Sequence, residues 1–582
     1  MKHLFYLNKF LWKYRLLLSV GTVFIIIANL FALYPAEFVR KAFDSIELNL
    51  VNHNSSIDFI SKQLIKYSFL IILFAVLKGV FMYFMRQTII VMSRKIEYDL
   101  KNEIYIKYQI LSMSFYKENK TGDLMNRISE DVSKVRMYLG PALMYSINIL
   151  ILFSLVISKM LSISITLTSY VLLPLPLLAF SVYFVSYKIN RNSEKVQEQL
   201  SKITTITQEN LSGVKIIKAF SNEENTLLVF YNTCKQYTKR QLQLVKIEAI
   251  FFPLIITMIG ISTVLTVYIG GLESFKGSIS TGNIAEFIIY VNMLAWPVAS
   301  LGWITSLVQR SAASQERINN FLLIEPEIQN NITILTPIEG DINFNEVSFS
   351  YKDTKIQALK DTSLIIEAGK KIGVFGKTGS GKTTLVNLIC RLYDCSSGDI
   401  SINNVNIKKL NLNQLRNSIG YVPQDGYLFS GTIKENIAFS SDNIDENKII
   451  EAAKKAAIYN EIINFKDGLE TRIGERGVQL SGGQRQRLSI ARVFYKNPDL
   501  FIFDDCLSAI DATKEKKILN NLKKVAKNKT SIIISHRISA IKDSYKIIVL
   551  EKGEITDIGN HKQLLSKKGL YHQMHELQNQ DR

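Results

Sequence analysis

A glycine-rich stretch, GKTGSGKT at residues 376–383, offers the chemistry that a nucleoside triphosphate requires. It follows the apolar run KKIGVF, so it lies where a strand would lead through a loop into a helix. Glycines let successive backbone N–H groups turn toward phosphate oxygens, and the start of the following helix adds positive partial charge. Lys382 would reach the β- and γ-phosphates, and the hydroxyl of Thr383 would bind Mg²⁺. The spacing therefore predicts a phosphate-binding loop.

A second stretch, LFIFDD at 500–505, ends an apolar run in two carboxylates. The four apolar residues predict a buried strand, and Asp504 at its end would hold the metal directly or through water. Two further residues fit such a site. Tyr351 would stack on adenine, and His536, after the apolar run SIIIS, would contact the γ-phosphate. The alternatives are an ordinary strand aromatic and a structural histidine.

The elements that position these residues belong to only part of the chain. A length of 582 residues suits two or three domains, and 47% hydrophobic against 21% charged residues is apolar for a wholly soluble protein. From residue 341 to 582, short β-rich runs alternate with helical segments and predict an α/β domain. The four cysteines form no CxxC pair or Cys/His cluster, which favours buried thiols in a reducing compartment.

Residues 1–310 contain six long apolar stretches. Each has about 20 residues or more, enough to cross a hydrocarbon core of about 30 Å at about 1.5 Å per residue. They lie at 15–35, 64–90, 139–158, 161–187, 249–271 and 284–308. The third and fourth are separated only around Ser158–Leu161, which predicts a tight hairpin. The fold class predicted is therefore a membrane helical bundle with six spans, joined by a polar linker at 311–340 to an α/β P-loop domain. No cleavable signal pattern precedes the first span, so it is predicted to be an anchor.

The formal net charge of +19 is unevenly distributed. Segments 91–138 and 188–248 hold nineteen lysines and arginines, whereas 36–63, 159–160 and 272–283 hold five. Cytoplasmic loops are enriched in these residues, so both basic segments, both termini and the α/β domain are predicted to face the cytoplasm from the cell's inner (plasma) membrane. Topology then explains much of the charge, and nucleic acid is not a predicted partner. Both basic segments are helical in pattern and would extend about 30 Å beyond the membrane.

Further motifs in the α/β part resemble those of one family. LSGGQRQR at 480–487 resembles the signature of the ATP-binding cassette proteins. VPQDGYLFSGTIKENI at 422–437 resembles their glutamine loop, GERGVQLSGGQ at 474–484 the stretch before the signature in exporters, and SAID at 508–511 the loop that crosses to the partner cassette. With six spans ahead of one cassette, the chain is similar to a half-transporter of the exporter type.

The resemblance implies a dimer in which each ATP lies between one chain's phosphate loop and the other chain's signature. It implies that 115–135 and 209–224 contain coupling helices, and that Gln424 contacts metal and water. Motifs and resemblance together assign nucleotide binding to Tyr351, Gly376, Thr378, Gly379, Ser380, Gly381, Lys382, Thr383, Thr384, Gln424, Ser481, Gly482, Gly483, Gln484 and His536, metal binding to Thr383, Gln424 and Asp504, and catalysis to Asp505, His536 and Gln424.

Asp505 departs from the family pattern, in which glutamate normally polarises the attacking water. Aspartate is one methylene shorter, about 1.5 Å from standard bond lengths, and a misplacement of about 1 Å costs roughly a hundredfold in rate. The site is therefore predicted to bind ATP and hydrolyse it poorly. The intact signature would complete a competent site on a different half-transporter, giving a heterodimer; a slow homodimer is the alternative.

The cargo is less defined. Few charges in the spans favour an amphiphilic or hydrophobic compound such as a drug, lipid or peptide, with membrane lipids around the protein. Lys78, inside the second span, is predicted to line the translocation cavity and to favour an anionic group; snorkelling toward the headgroups is the alternative. For the whole chain, the alternatives to an exporter are a siderophore-type importer, a cassette ATPase of nucleic-acid maintenance and a gated channel subunit.

Overall fold

The computed structural model describes residues 2–52, 57–330, 338–441, 443–474, 477 and 479–580. Predictions for part of the loop 36–63, part of the linker and part of the stretch before the signature lie outside the described residues. The chain forms two compact units, Met1–Gln109 with Gly122–Ile324 and Ile110–Thr121 with Glu325–Arg582.

The first unit is all helical. Six of its helical segments, between Arg15 and Leu322, are long and apolar enough to cross a membrane, and each overlaps one of the predicted stretches; five contain theirs in full, whereas the fourth begins at Ile165, inside the predicted stretch 161–187. The six-span prediction is therefore confirmed for the described part of the chain. The helices are Lys2–Leu7, Asn8–Lys13, Arg15–Asn52, Ile57–Ile110, Thr121–Asn126, Arg127–Asp131, Val132–Met137, Tyr138–Ala142, Leu143–Ile163, Ile165–Leu172, Pro174–Ser212, Val214–Ala219, Glu223–Phe275 and Thr281–Leu322.

The spans continue into the basic segments as unbroken helices. Ile57–Ile110 has 54 residues and would measure about 80 Å at 1.5 Å per residue. Glycine and proline are sparse in these segments, so nothing interrupts the helical hydrogen bonds where the apolar residues give way to basic ones. Gly213 ends Pro174–Ser212, and Ser221, with φ of 51°, precedes Glu223–Phe275.

The turn between the third and fourth spans lies at Ser164, which corrects the predicted position around Ser158–Leu161. Ser164 is extended, with φ of −156°, and its side chain accepts a hydrogen bond from the N–H of Leu167 at 3.2 Å. This bond caps the next helix. Residues 158–163 remain helical because Met160 is fully buried among apolar neighbours, which favours continuing the helix for another turn.

The second unit is an α/β domain with twelve strands among its described residues. They are β1 Ile342–Ser350, β2 Gln357–Ile366, β3 Lys371–Gly376, β4 Ser397–Ile402, β5 Val405–Asn406, β6 Ile419–Val422, β7 Gly431–Thr432, β8 Arg472–Ile473, β9 Leu500–Asp504, β10 Thr530–Ile534, β11 Lys546–Glu551 and β12 Glu554–Gly559. The main sheet has the order β12-β11-β3-β10-β9-β6, and a second sheet has the order β2-β1-β4-β5. In the main sheet only the β11–β12 pair is antiparallel.

The apolar run 500–503 is buried on both faces. Phe501 and Phe503 belong to one core cluster, whereas Leu500 and Ile502 belong to the other. Successive side chains of a strand point to opposite faces, so a parallel strand covered on both sides has no polar alternation. Helices pack against the main sheet, including Lys382–Ile389 on β3 and β9 and Gly482–Lys496 on β6. The α-helices of the second unit are Met113–Glu118, Lys382–Ile389, Leu412–Ser418, Ile433–Ile437, Glu446–Lys455, Tyr459–Ile462, Gly482–Lys496, Ala512–Val525, Ile538–Ile541, His561–Ser566 and Leu570–Gln580.

The change from helix to strand falls between Leu322 and Ile342. This interval overlaps the segment 311–340 that the sequence assigns to the linker. The predicted domain limits, 1–310 and 341–582, stay a prediction.

Candidate functional site

The phosphate loop follows β3 directly, as predicted. Gly381 has φ of 101°, in the left-handed region that favours glycine, and the helix Lys382–Ile389 starts immediately after it. The Lys382 ammonium turns back into the loop, where it donates to the carbonyls of Gly376 at 2.9 Å and Lys377 at 2.8 Å. An ammonium has three N–H groups, so one is left for a phosphate oxygen.

The loop also presents a buried hydroxyl. Ser380 is 4% exposed, and its Oγ has no hydrogen-bond partner among the described residues. Burial lowers the pKa of Lys382, while the charges of Asp505 and Asp504 oppose that shift. A phosphate would supply both the missing hydrogen bond and a partner charge, so the residues present fit a nucleoside triphosphate.

The predicted metal-binding residues lie together at the carboxyl end of β9. The Thr383 hydroxyl donates to Asp504 Oδ1 at 3.1 Å, and the Tyr421 hydroxyl donates to Asp504 Oδ2 at 3.3 Å. Asp504 is 1% exposed; burial raises its pKa, and both hydrogen bonds oppose the increase. Gln424 is exposed and follows β6, whose Val422 pairs with Phe503, so it lies at the same sheet edge.

This donor set fits Mg²⁺. The ion takes oxygen ligands and is usually held by one or two carboxylates together with substrate phosphates. The described residues contain no group of three or more His, Cys, Asp or Glu side chains that would form an all-protein metal site. Thr383, Asp504 and Gln424 instead offer a hydroxyl, a carboxylate and an amide oxygen. Tyr421 was missed at the sequence level because a strand tyrosine carries no motif.

Both backbone polar groups of Asp505 are hydrogen-bonded, which fixes its main chain. Its N–H donates to the Ile534 carbonyl at 3.0 Å, and its carbonyl accepts from the Ser508 hydroxyl at 3.0 Å. Its φ is 44°, a conformation that aspartate tolerates better than most residues. These two bonds fix the main chain to β10 and to the following turn. The main chain therefore cannot move toward the nucleotide to compensate for the methylene that aspartate lacks relative to glutamate.

His536 lies within electrostatic reach of the same residues. Burial lowers its pKa, the Lys382 charge adds to that effect, and Asp505 together with a backbone hydrogen bond at Gly376 opposes it. The imidazole is therefore neutral near pH 7 and carries both a donor and an acceptor nitrogen. The structure thus brings Lys382, Asp504, Asp505 and His536 to one edge of the sheet.

Tyr351 stands beside a cavity of about 250 Å³. Its hydroxyl hydrogen-bonds with Thr384 Oγ1 at 3.0 Å, which orients the ring next to the phosphate loop. Lys117, on the helix Met113–Glu118, places its ammonium 3.6 Å from the ring centroid. Since Lys117 covers one face, an adenine must stack on the other face or displace the ammonium. Ser114 of the same helix donates to Glu327 at 2.5 Å.

Replacement of Tyr351 by alanine is expected to weaken ATP binding about tenfold. Loss of a stacked aromatic costs about 1–3 kcal/mol per base. Tyr351→Phe keeps the ring and removes only the bond to Thr384, so its dissociation constant is expected to change less. Equilibrium binding of a fluorescent ATP analogue to the full-length protein measures both. Equal losses in the two variants would show that the hydroxyl, and not stacking, is what matters.

The signature residues form the start of the helix Gly482–Lys496. Ser481 and Gln484 make a reciprocal capping box, in which the Ser481 N–H donates to Gln484 Oε1 at 2.9 Å and the Gln484 N–H donates to Ser481 Oγ at 3.3 Å. Arg487, one turn on, makes a bidentate pair with Glu461 at 2.6 and 2.9 Å. Glu461 also accepts a hydrogen bond from Gln484 at 3.0 Å, so it holds two side chains of the signature helix in place.

Glu461 is a positioning residue that could not be found from the sequence, since it lies in YNEII, where no motif marks it. Burial acts to raise its pKa, but hydrogen bonds from Arg487, Gln484 and Lys514 outweigh burial and lower the pKa to about 2.

We expect Glu461→Gln to lower the unfolding temperature of the full-length protein at pH 7. A carboxylate with a lowered folded-state pKa stabilises above its ordinary pKa of 4.5, and that stabilisation disappears as pH falls toward about 2. The difference from wild type should therefore shrink across that window. Glu451, paired with Lys455 at 3.2 Å on an exposed helix face, is the matched control, because an exposed pair contributes little. A pH-independent difference would contradict the assignment.

The signature helix is tied to the SAID loop. Gln486 accepts from the Ala509 N–H at 3.1 Å, and a β-carbon on Gly483 would lie 2.8 Å from the Ala509 carbonyl oxygen. Arg537, next to His536, donates to the Ser508 carbonyl at 2.8 Å and to Glu515 at 2.8 Å. Hydrogen bonds therefore connect the signature helix, the SAID loop and the residue next to His536.

The signature and the phosphate loop of one chain lie on different parts of the sheet. The signature helix packs against β6 and the helices Ile433–Ile437 and Glu446–Lys455. The phosphate loop follows β3, and β10 and β9 lie between β3 and β6. At about 4.8 Å per strand, the two strands are about 14 Å apart. This separation agrees with a nucleotide that takes its signature from another chain.

The membrane-type unit contains two cavities that share Tyr145, Asn292 and Trp296. The larger, of about 730 Å³, is mostly apolar and has Trp303 in its wall. The smaller, of about 290 Å³, is lined by Lys78. Of the two alternatives for Lys78, a cavity wall or snorkelling toward the headgroups, the structure agrees with the cavity wall.

Comparisons with known proteins agree with this arrangement. Residues 18–298 match the model of the ABC transporter transmembrane region, and residues 359–508 match that of the ABC transporter. The chain is 30% identical to the probable multidrug resistance ABC transporter ATP-binding/permease protein YheI of Bacillus subtilis (strain 168), covering 98% of this chain and 97% of that protein. It is 31% identical to the multidrug resistance-like ATP-binding protein MdlA of Escherichia coli (strain K12), covering 97% and 95%.

A solved structure has the same fold. A bacterial Atm1-family ABC exporter with ATP bound superimposes with a TM-score of 0.79, covering 97% of this chain and 98% of that chain at 24% sequence identity. The fold therefore extends over both the helical unit and the α/β unit.

Proposed function

Because this chain belongs to the ABC transporter family, as a multi-pass membrane protein with an ATPase domain that works as a dimer, we propose that it is one half of an ATP-driven exporter. Its cargo is an amphiphilic or hydrophobic compound. The observation that carries the proposal is the apolar cavity of about 730 Å³ in the same chain as a complete set of nucleotide-binding motifs. The names of YheI and MdlA, both referring to multidrug resistance, support export.

We further propose a heterodimer with unequal nucleotide sites. Asp505 stands where the family has glutamate, and its backbone bonds to Ile534 and from Ser508 prevent compensation for the shorter side chain. The site on this chain then binds ATP and turns it over slowly. The capped, braced signature at Ser481–Gln484 serves a second half-transporter that carries glutamate at the matching position.

The mechanism follows alternating access. Lys382, Ser380 and the loop backbone bind the phosphates, Tyr351 binds the base, and His536 contacts the γ-phosphate. Thr383, Asp504 and Gln424 would hold Mg²⁺, which neutralises phosphate charge when bound. Two ATP molecules favour the closed cassette pair because they bind it more tightly than the open one. Helices near 115–135 and 209–224 carry closure to the spans, and hydrolysis at the competent site resets them.

Orientation is part of the proposal. The excess of lysine and arginine in 91–138 and 188–248 supports a cassette and both termini on the cytoplasmic face of the cell membrane.

The test is ATP-dependent accumulation in inside-out membrane vesicles that contain this chain with and without a co-expressed second half-transporter. An exporter accumulates cargo inside such vesicles when ATP is outside. Uptake only in right-side-out vesicles with ATP inside would identify an importer. Full activity of this chain alone would identify a homodimer.

A further inference from the structure

The two cavities of the helical unit carry a charge pattern that narrows the cargo. Lys78 and Arg86 line the smaller cavity and Arg310 lines the larger one. None of the described residues lining either cavity is acidic. Within the described part of the chain, none of these three cations takes part in an ion pair. The described linings of the two cavities therefore carry three positively charged side chains and no negatively charged one.

Depth in the membrane decides between a cavity role and snorkelling for Lys78. Between Lys66 and Arg86 lie nineteen residues in which Lys78 is the one charged side chain. That stretch measures about 28 Å along the helix, close to a hydrocarbon thickness of about 30 Å. Lys78 is eight residues from Arg86 and twelve from Lys66, which is about 12 and 18 Å. A lysine side chain extends about 6 Å, so the Lys78 ammonium would end about 6 Å short of the level of Arg86 and further from that of Lys66.

A cation at this depth needs an anion or water around it. The smaller cavity offers hydrogen-bond donors that would bind such an anion together with the ammonium. Asn29 Nδ2 donates to Asn148 Oδ1 at 2.9 Å, and this leaves the Asn148 amide hydrogens as additional donors beside the lysine. Asn292, shared by both cavities, adds another amide.

The apolar part of a ligand has its own surface. Trp296 is shared by the two cavities, and Trp303 packs edge-on against Tyr145 with ring centroids 5.8 Å apart. Trp296 is 69% exposed and Trp303 42% exposed. Indole and phenol rings with this much free surface offer flat faces to aromatic or alkyl groups. The arrangement combines a donor-rich cationic end with an aromatic wall.

We propose that the cargo site is selective for lipophilic anions, bound with the anionic group near Lys78 and the apolar body against Trp296 and Trp303. This inference deepens the export function proposed above and rests on it for its biological meaning. The chemistry is shared by organic aromatic acids and by anionic lipids. Arg86, about 12 Å further along the same helix, gives a second contact for a ligand with two anionic groups.

The experiment compares two probes of equal shape and opposite charge, tetraphenylborate and tetraphenylphosphonium. Binding is measured by calorimetry on the nucleotide-free full-length protein in nanodiscs of neutral lipid, so that neither ATP hydrolysis nor a partner chain is required. After subtraction of the binding to protein-free nanodiscs of the same lipid, which favour hydrophobic anions on their own, tetraphenylborate is expected to bind at least about tenfold more tightly. Lys78→Met should remove about tenfold of its affinity and should strengthen rather than weaken tetraphenylphosphonium binding, and Lys78→Arg should restore the preference.

Lys66→Met is the matched control, because Lys66 lies on the same helix, is exposed and lines neither cavity. Equal binding of the two probes, or equal losses in Lys78→Met and Lys66→Met, would overturn the inference. Competition by phosphatidylglycerol added to the nanodiscs would indicate a lipid cargo, and its absence a free organic anion; both support the site. Selective binding without ATP-dependent accumulation in vesicles would refute export while leaving the anion site standing.

Discussion

Replacing Asp505 by glutamate is expected to raise the ATPase rate of this chain, purified alone, by about tenfold to a hundredfold. Glutamate adds the methylene that the fixed backbone does not supply, and a general base must approach its water to within about 2.6–3.2 Å. A misplacement of about 1 Å costs about a hundredfold. The measurement is steady-state phosphate release from the protein in nanodiscs, together with the dissociation constant for ATP, which should stay the same.

Asp505→Asn is the companion variant. It removes the charge without changing the length, and it should reduce the slow residual rate further while ATP still binds. With the second half-transporter present, the glutamate variant should raise the rate by no more than about twofold, since one site is competent already. Turnover on the order of tens per second by the unmodified chain alone would contradict the two-unequal-sites proposal.

Replacing Gly483 by alanine should lower hydrolysis by the assembled pair about a hundredfold, comparable to the loss of one group that stabilises a transition state. The new β-carbon would lie 2.8 Å from the Ala509 carbonyl oxygen, so the signature or the SAID loop must move. ATP binding to this chain's own phosphate loop should be unchanged, because Lys382 and Ser380 lie on another part of the sheet. Phosphate release and photo-crosslinking of labelled ATP to each chain report the two effects separately.

Two comparisons sharpen this result. Gly482→Ala should cost less, because its β-carbon meets only the Ala509 side chain at 3.7 Å. The equivalent signature change made in the other half-transporter should also cost little, since in the proposed heterodimer that signature would serve the slow site at Asp505. Equal losses from the two chains would show that both sites hydrolyse ATP at similar rates.

Local chemistry explains why the sequence predicted so much of the nucleotide site. Strand β9 reads as four apolar residues ending in acid, and each of those residues is buried in one of the two cores. The phosphate loop needs glycines and a lysine at fixed spacing whatever surrounds it. The six spans likewise follow from length and hydropathy, which depend on no long-range contact.

Residues that act through tertiary contacts were not predictable in this way. Glu461 lies 26 positions before Arg487, and its role exists only because two helices meet. Lys117 reaches the Tyr351 ring from a segment more than two hundred residues earlier in the chain. The hairpin was predicted around Ser158–Leu161 because the two apolar runs nearly meet there, and hydropathy alone does not show that the third helix continues past the buried Met160 to Ile163.

The contacts of Arg537 have a consequence for how the two nucleotide sites of a dimer are coupled. It is covalently adjacent to His536, yet its guanidinium donates to the main chain of Ser508 and Ile510, in the loop that in this family leaves for the opposite cassette. A movement of the histidine as phosphate departs must therefore shift the loop in the same step. If the two sites are unequal as proposed, ATP retained at the Asp505 site would keep this loop in the same position between hydrolysis events, so that every reset of the spans by the competent site would start from one loop position.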